Sequence, residues 1–141
     1  MDLQRYDIIK AKINYEGNSV QTNERPYVIV SNPLGTKYAP IITVMPLTSK
    51  IKKTNMPCHG CIQANENNGL TLYSMALGEQ ITTISKDEVI SKIGTITDDK
   101  NKRMVDKVCF NSLFFVFMAT ARVAPPCAIL DASIPGPFTT S

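Results

Sequence analysis

Two short segments place a cation and a hydroxyl where both could act on one phosphate: Arg25-Pro26-Tyr27-Val28-Ile29-Val30-Ser31-Asn32 and Met45-Pro46-Leu47-Thr48-Ser49-Lys50. Each reads as a buried strand carrying one polar or cationic group at its end. Arg25 stands directly before a proline that fixes an extended entry, and Thr48 stands where an apolar run meets a basic loop. A guanidinium presents a rigid fork of donors that matches phosphate oxygens, and a threonine hydroxyl can donate to the same group. Such a pair suits the charge that builds up on phosphorus when a phosphodiester is cut. That chemistry also requires removing a proton from the attacking hydroxyl and giving one to the leaving oxygen. On residue type alone the plainer alternative stands beside it: a solvated loop arginine and an ordinary strand-end threonine.

Other constellations are thinner. Cys58-His59-Gly60-Cys61 has the look of a metal or redox motif, but zinc takes four ligands and Cys109 and Cys127 have no paired spacing. On a strand, positions 58 and 61 face opposite sides. Neither a metal site nor a redox pair nor any cofactor is expected. His59 is the only histidine, which excludes paired-histidine chemistry. Lys50, Lys52 and Lys53 follow Thr48 and could steer phosphates toward it, although a charge cluster is more often just a solvated loop. Gly-rich phosphate loops, a Ser-His-Asp set and clustered carboxylates are missing from the sequence.

The elements that must position these groups follow from pattern. Residues 5–14 alternate loosely, with Asp7, Ile9, Ala11 and Ile13 on one face, and read as a first strand. Residues 15–24 form a long polar loop. Residues 27–30 form a strand covered on both faces, which Asn32-Pro33-Leu34-Gly35 ends, opening a short helical turn. The third strand, 41–48, puts Ile42, Val44, Pro46 and Thr48 on one face. Further strands are expected at 58–63, 75–83 and 93–96, with a turn at 65–69 and a short helix from Ser85 to about Ser91. Thr97-Asp98-Asp99 caps one long helix whose stripe is Val105, Val108, Cys109, Ser112, Leu113 and Val116. Short strands followed by one long helix predict a β-rich α+β domain, a small barrel closed by that helix.

The 141 residues are 43% apolar, enough for one core, and 19% charged, which excludes a disordered composition. A net charge of +3 biases only weakly toward anionic partners. No apolar leader and no membrane span is visible, so a cytoplasmic protein with cysteine thiols is expected. Residues 1–120 are read as one domain. Residues 121–141, which hold four of the nine prolines (Pro125, Pro126, Pro135, Pro137), are read as a tail that is disordered or non-native.

The segments around Arg25 and Thr48, with Pro57-Cys58-His59, Asn68-Gly69-Leu70, Glu79-Gln80-Ile81 and Lys92-Ile93-Gly94, together resemble the MazF/PemK-type toxin endoribonucleases over residues 5–116. The resemblance implies an SH3-like, CcdB-like barrel of mostly antiparallel strands. It implies sequence-specific, metal-independent cleavage of single-stranded RNA by 2′-OH attack, with Arg25 and Thr48 as the catalytic pair. The implied RNA-binding set is Ser19, Gln21, Ser49, Lys50, Lys52, Lys53, His59, Glu79 and Gln80. A homodimer and a cognate antitoxin are implied as partners. The chain departs from the family pattern in four places: Tyr6-Asp7 for Gly-Asp, Val20 for an acid, Tyr73-Ser74 for Asp-Ser, and Thr82 for an arginine. If that arginine touches RNA, Thr82 removes a phosphate contact. Two alternatives share the fold: a gyrase-directed toxin, and a homologue that only binds RNA or antitoxin.

Overall fold

A computed structural model describes residues 2–13, 24–52 and 55–120, with side chains of the C-terminal helix described to residue 112. Seven strands lie at Asp7–Ala11 (β1), Arg25–Ile29 (β2), Ile41–Thr48 (β3), His59–Ile62 (β4), Ser74–Leu77 (β5), Thr82–Ser85 (β6) and Val89–Thr95 (β7). Two helices, Pro33–Tyr38 (α1) and Asp99–Thr120 (α2), complete the element list, with 3-10 turns at Gly78–Gln80 and Lys86–Glu88. The strands pair antiparallel in the order β4-β5-β3-β2-β1-β7, and β6 also pairs β3.

The sheet is apolar on both faces. Ile8, Val28, Met45, Leu47, Ile62 and Ala76 point toward α2 and pack on Val105 and Val108. Ile9, Ala11, Tyr27, Ile29, Ile42 and Val44 form a second cluster on the other face, closed by Ile84 of β6 with Val89 of β7 packed against it. The continuous apolar runs of β2 and β3 are thus the mark of strands covered on both sides. The expected faces of β3 and the helix stripe Val105, Val108 and Ser112 match the buried positions; nothing is described of the Leu113 and Val116 side chains. Asp98 caps α2 through its side chain to the Asn101 amide at 2.9 Å, a bond that holds its carboxyl below the usual carboxylate range.

Two expected elements differ. The strand read over 75–83 is two strands interrupted by the turn Gly78–Gln80. Gly78 permits the break: a Cβ there would collide with Ser112 Oγ and crowd the Cys58 carbonyl and Val108. The helix read from Ser85 stops after one turn. Its capping box is formed as expected, with Ser85 Oγ accepting the Asp87 amide at 3.1 Å and Glu88 Oε1 accepting the Ser85 amide at 2.9 Å. Pairing with β1 then claims Val89 onward as strand, because a backbone ladder outweighs a short run of helix propensity. The loop 15–23 and the tail 121–141 lie outside the described residues.

Tyr6 stands where a glycine would be natural, with φ of 75°. A tyrosine in this region carries a strain of about 1–2 kcal/mol. Its phenol donates to both Asp106 carboxylate oxygens at 2.9 Å, and Arg5 bonds the same carboxylate at 3.0 Å. Next to it Asp7, 1% exposed, accepts from Thr95 Oγ1 and the Gln4 amide, both at 2.8 Å, and pairs Lys92 at 3.2 Å. These bonds tie the chain entry to β7 and α2.

Candidate active site

Antiparallel register brings Arg25 and Thr48 together. The β2–β3 pairs are Tyr27↔Pro46, Val28↔Met45 and Ile29↔Val44, so extending the ladder by two residues sets Arg25 opposite Thr48. Alternation sends both toward the face away from α2, the side of Tyr27, Ile29 and Val44. The row continues outward through Thr48↔Met75 and Cys61↔Met75. Pro26 shapes the entry to β2 and cannot donate to the ladder, which is tolerated beside the first strand residue.

Arg25 and Thr48 line one cleft of about 760 Å³ with Glu24, Ser49, Lys50 and Leu72. Thr48 Oγ1 accepts the Lys50 amide at 3.1 Å, which fixes the hydroxyl and leaves its proton available to a ligand. Among the described residues no carboxylate pairs with the Arg25 guanidinium. The cleft therefore sets a planar cation beside an oriented hydroxyl, an arrangement suited to a phosphate.

The far wall is the loop between β4 and β5. Buried Asn68 organises it, its Oδ1 accepting the Leu70 amide at 3.0 Å and its Nδ2 donating to the Gln63 carbonyl at 2.8 Å. Gly69, at φ of 70°, packs against the Ile93 backbone where no Cβ fits. The Asn68-Gly69-Leu70 and Lys92-Ile93-Gly94 segments are thus two sides of one close contact. Ser74 Oγ closes the loop on the Leu72 carbonyl at 2.9 Å. Leu72 is exposed in the cleft, and the nearby Cys61 thiol pushes up the phenol of neighbouring Tyr73.

A second group lies along the same face. His59, opposite Leu77, points away from α2, since Gly60 and Ile62 face the helix. Its Nε2 lies 3.0 Å from each Glu79 carboxylate oxygen. The turn Gly78–Gln80 delivers Glu79 there, which an unbroken strand would not do. Burial pushes the Glu79 carboxyl up, but its bond to His59 leads the opposing effects, and the net shift is downward.

Of the expected site residues, the structure collects Arg25, Thr48, Ser49 and Lys50 in the cleft, with His59 and Glu79 as a bonded pair outside its lining. Gln80 and Lys52 are exposed and not among the cleft-lining residues. Ser19, Gln21 and Lys53 lie outside the described residues. Thr82 opens β6, half-buried opposite Val44. Sequence reading passed over Glu24 and Leu72, whose only signals were adjacency to Arg25 and an exposed leucine among turn formers. It also placed Cys58 on a strand; Cys58 lies in the turn before β4, and its thiol approaches Glu79.

Comparison with known proteins bears on the family and the fold. The family description "PemK-like, MazF-like toxin of type II toxin-antitoxin system" matches residues 4–110. The chain is 32% identical over 102 residues to endoribonuclease MazF of Staphylococcus saprophyticus, covering 72% of this chain and 84% of that protein. It is 32% identical over 108 residues to endoribonuclease EndoA of Bacillus subtilis, covering 77% and 89%. Among solved structures, MazF from Deinococcus radiodurans superposes with a TM-score of 0.64 at 12% identity, covering 84% of this chain and 99% of that one. A mycobacterial endoribonuclease in complex with its cognate antitoxin superposes with a TM-score of 0.64 at 17% identity, covering 79% and 95%. These structural likenesses establish the antiparallel sheet with its C-terminal helix as the fold.

Proposed function

The chain belongs to the PemK-like, MazF-like toxins of type II toxin–antitoxin systems and is, like its relatives, an endoribonuclease; we propose that it cuts single-stranded mRNA at a short recurring sequence, without a metal ion, through Arg25 and Thr48. The observation that carries this reading is their placement on facing positions of β2 and β3 in one cleft, with the Thr48 hydroxyl pre-set by the Lys50 amide. In the reaction the ribose 2′-oxygen bonds to phosphorus as its proton departs. The bond to the 5′-oxygen then breaks as that oxygen gains a proton, leaving a 2′,3′-cyclic phosphate and a 5′-hydroxyl. Arg25 stabilises the charge on the phosphorane oxygens and assists the proton transfers, and Thr48 holds the scissile phosphate. Ser49 and Lys50 extend the phosphate path, with Lys52 and Lys53 steering from the loop beyond. His59, Glu79 and Gln80 contact bases farther along the face, and Ser19 and Gln21 do so from the preceding loop.

The working unit is a homodimer in the cytosol, held in check by a cognate antitoxin. Exposed Leu34, Tyr38 and Ile41 provide apolar surface for the second copy, and no described helix is long and apolar enough to cross a membrane. Residues 1–120 form the toxin domain in this reading. The test is incubation with a long single-stranded RNA in EDTA, followed by mapping of new 5′ ends. Cuts at a recurring sequence that fall at least about 100-fold in Arg25→Ala are expected. Intact RNA with the unaltered protein would discard catalysis in favour of a binding-only or gyrase-directed role.

A further inference from the structure

Cys58, His59 and Glu79 bring a thiol, an imidazole and a carboxylate together, one ligand atom from each lying within 4.8 Å of the others. Neighbouring strand residues diverge, and this pair converges only because Cys58 still lies in the turn while His59 begins β4. The segments that carry the three groups are bound to one another. The Gly78 amide, at the start of the turn bearing Glu79, donates to the Cys58 carbonyl at 2.8 Å. The His59 amide donates to the Met56 carbonyl at 3.0 Å, and Asn111 Nδ2 of α2 donates to the Pro57 carbonyl at 3.1 Å. The three groups are therefore held in place before any ligand arrives.

Burial is graded across the group. Cys58 is 4% exposed and the His59 side chain 7%, while the Glu79 side chain is 47% exposed, leaving an entry on one side. Thiolate and imidazole favour zinc-like ions over magnesium or calcium, and three protein ligands with an open fourth position are a common zinc arrangement. Cys61, the thiol that the sequence motif would have supplied, is not part of the group.

We propose that Cys58, His59 and Glu79 form a binding site for a zinc-type divalent cation, and that the bound ion withdraws His59 and Glu79 from RNA and so inhibits the toxin. The inhibitory half rests on the RNA-facing role proposed above for His59 and Glu79. On binding, the Cys58 thiol loses its proton to solvent, and the Glu79 carboxylate exchanges its bond to His59 for one to the metal.

The test uses the full chain, stripped of metal and titrated with cobalt(II) as a visible substitute for zinc. A thiolate-to-cobalt charge-transfer band that zinc abolishes is expected. Cys58→Ser should remove the band. Glu79→Gln, an exposed and fold-preserving change, should weaken binding at least about tenfold, and Cys109→Ser should leave it unchanged. No band in the unaltered protein, or a band that survives Cys58→Ser and Glu79→Gln, overturns the site. Anisotropy of an RNA made uncleavable by 2′-deoxy substitution reads the second half whether or not the protein cuts. Zinc should release that RNA from the unaltered protein and not from Cys58→Ser, and RNA retained on zinc-loaded protein overturns the inhibition. Loss of cleavage in every preparation, with the band intact, would count against the nuclease reading alone.

Discussion

Thr48 and Glu79 are both polar groups at the ends of apolar runs, and what separates them is the bond each already makes. The Thr48 oxygen takes the Lys50 amide and keeps its proton for a ligand, while Glu79 spends both oxygens on His59. Glu79 has a folded-state pKa below its ordinary value of 4.5, so its stabilising contribution is present above that value and is lost as pH falls through the folded pKa. Urea unfolding from pH 6 down to about pH 3 should show Glu79→Gln losing less stability than the unaltered protein. Equal slopes would mean that the pair does not form. Tyr6 offers a second test. Tyr6→Phe keeps the φ of 75° and removes the phenol bonds to Asp106, and should cost about 1–2 kcal/mol by denaturant midpoint. Cys109 is pushed up to about 11 by burial, which keeps its thiol protonated and slow toward alkylating reagents at neutral pH.

At the scale of elements, the decisive feature is the break between β5 and β6. Both run along β3, β6 pairing its first half and β5 its end, and the Gly78–Gln80 turn lets the chain change course while turning Glu79 toward β4. The turn needs a glycine at its start: Gly78 lies against Ser112 of α2 and the Cys58 carbonyl, with no room for a Cβ. Gly78→Ala should therefore destabilise by about 2 kcal/mol through overpacking, with Ser112→Gly recovering part but not all of it, since the backbone contact persists. Thermal melts of the single and double variants read both. The local pattern carried a sign of the break in Gly78-Glu79-Gln80, a glycine and two polar residues between apolar and β-prone flanks; the contact with α2 shows why that glycine is needed. The loop of Asn68 and Gly69 was legible as a turn, yet its role as a cleft wall depends on β7 backing it.

For the whole molecule, one face of the sheet carries α2 and the other carries the row from Arg25 through Thr48 to Cys61, with His59 and Glu79 beyond. The exposed Leu34, Tyr38 and Ile41 are the apolar surface for the proposed second copy. Light scattering should give twice the 15.6 kDa chain mass, and Tyr38→Asp should shift the population toward the single chain. A monomeric mass for the unaltered protein at micromolar concentration would remove the dimer from the reading.

The sequence by itself determined a strand read at 27–30 and found at Arg25–Ile29, the strand at 41–48, the capped C-terminal helix and the family, because continuous apolar runs, a proline entry and helical spacing are local signals. The catalytic candidates were also legible, since Arg25 and Thr48 end those same strands. Only the tertiary structure decided which groups meet. Register across β2 and β3 set Arg25 opposite Thr48, and the turn packed against α2 brought Glu79 to His59 and Cys58. These are contacts between residues distant in sequence. They depend on how strands pair and where a helix presses, neither of which is written in the spacing of residues along one segment.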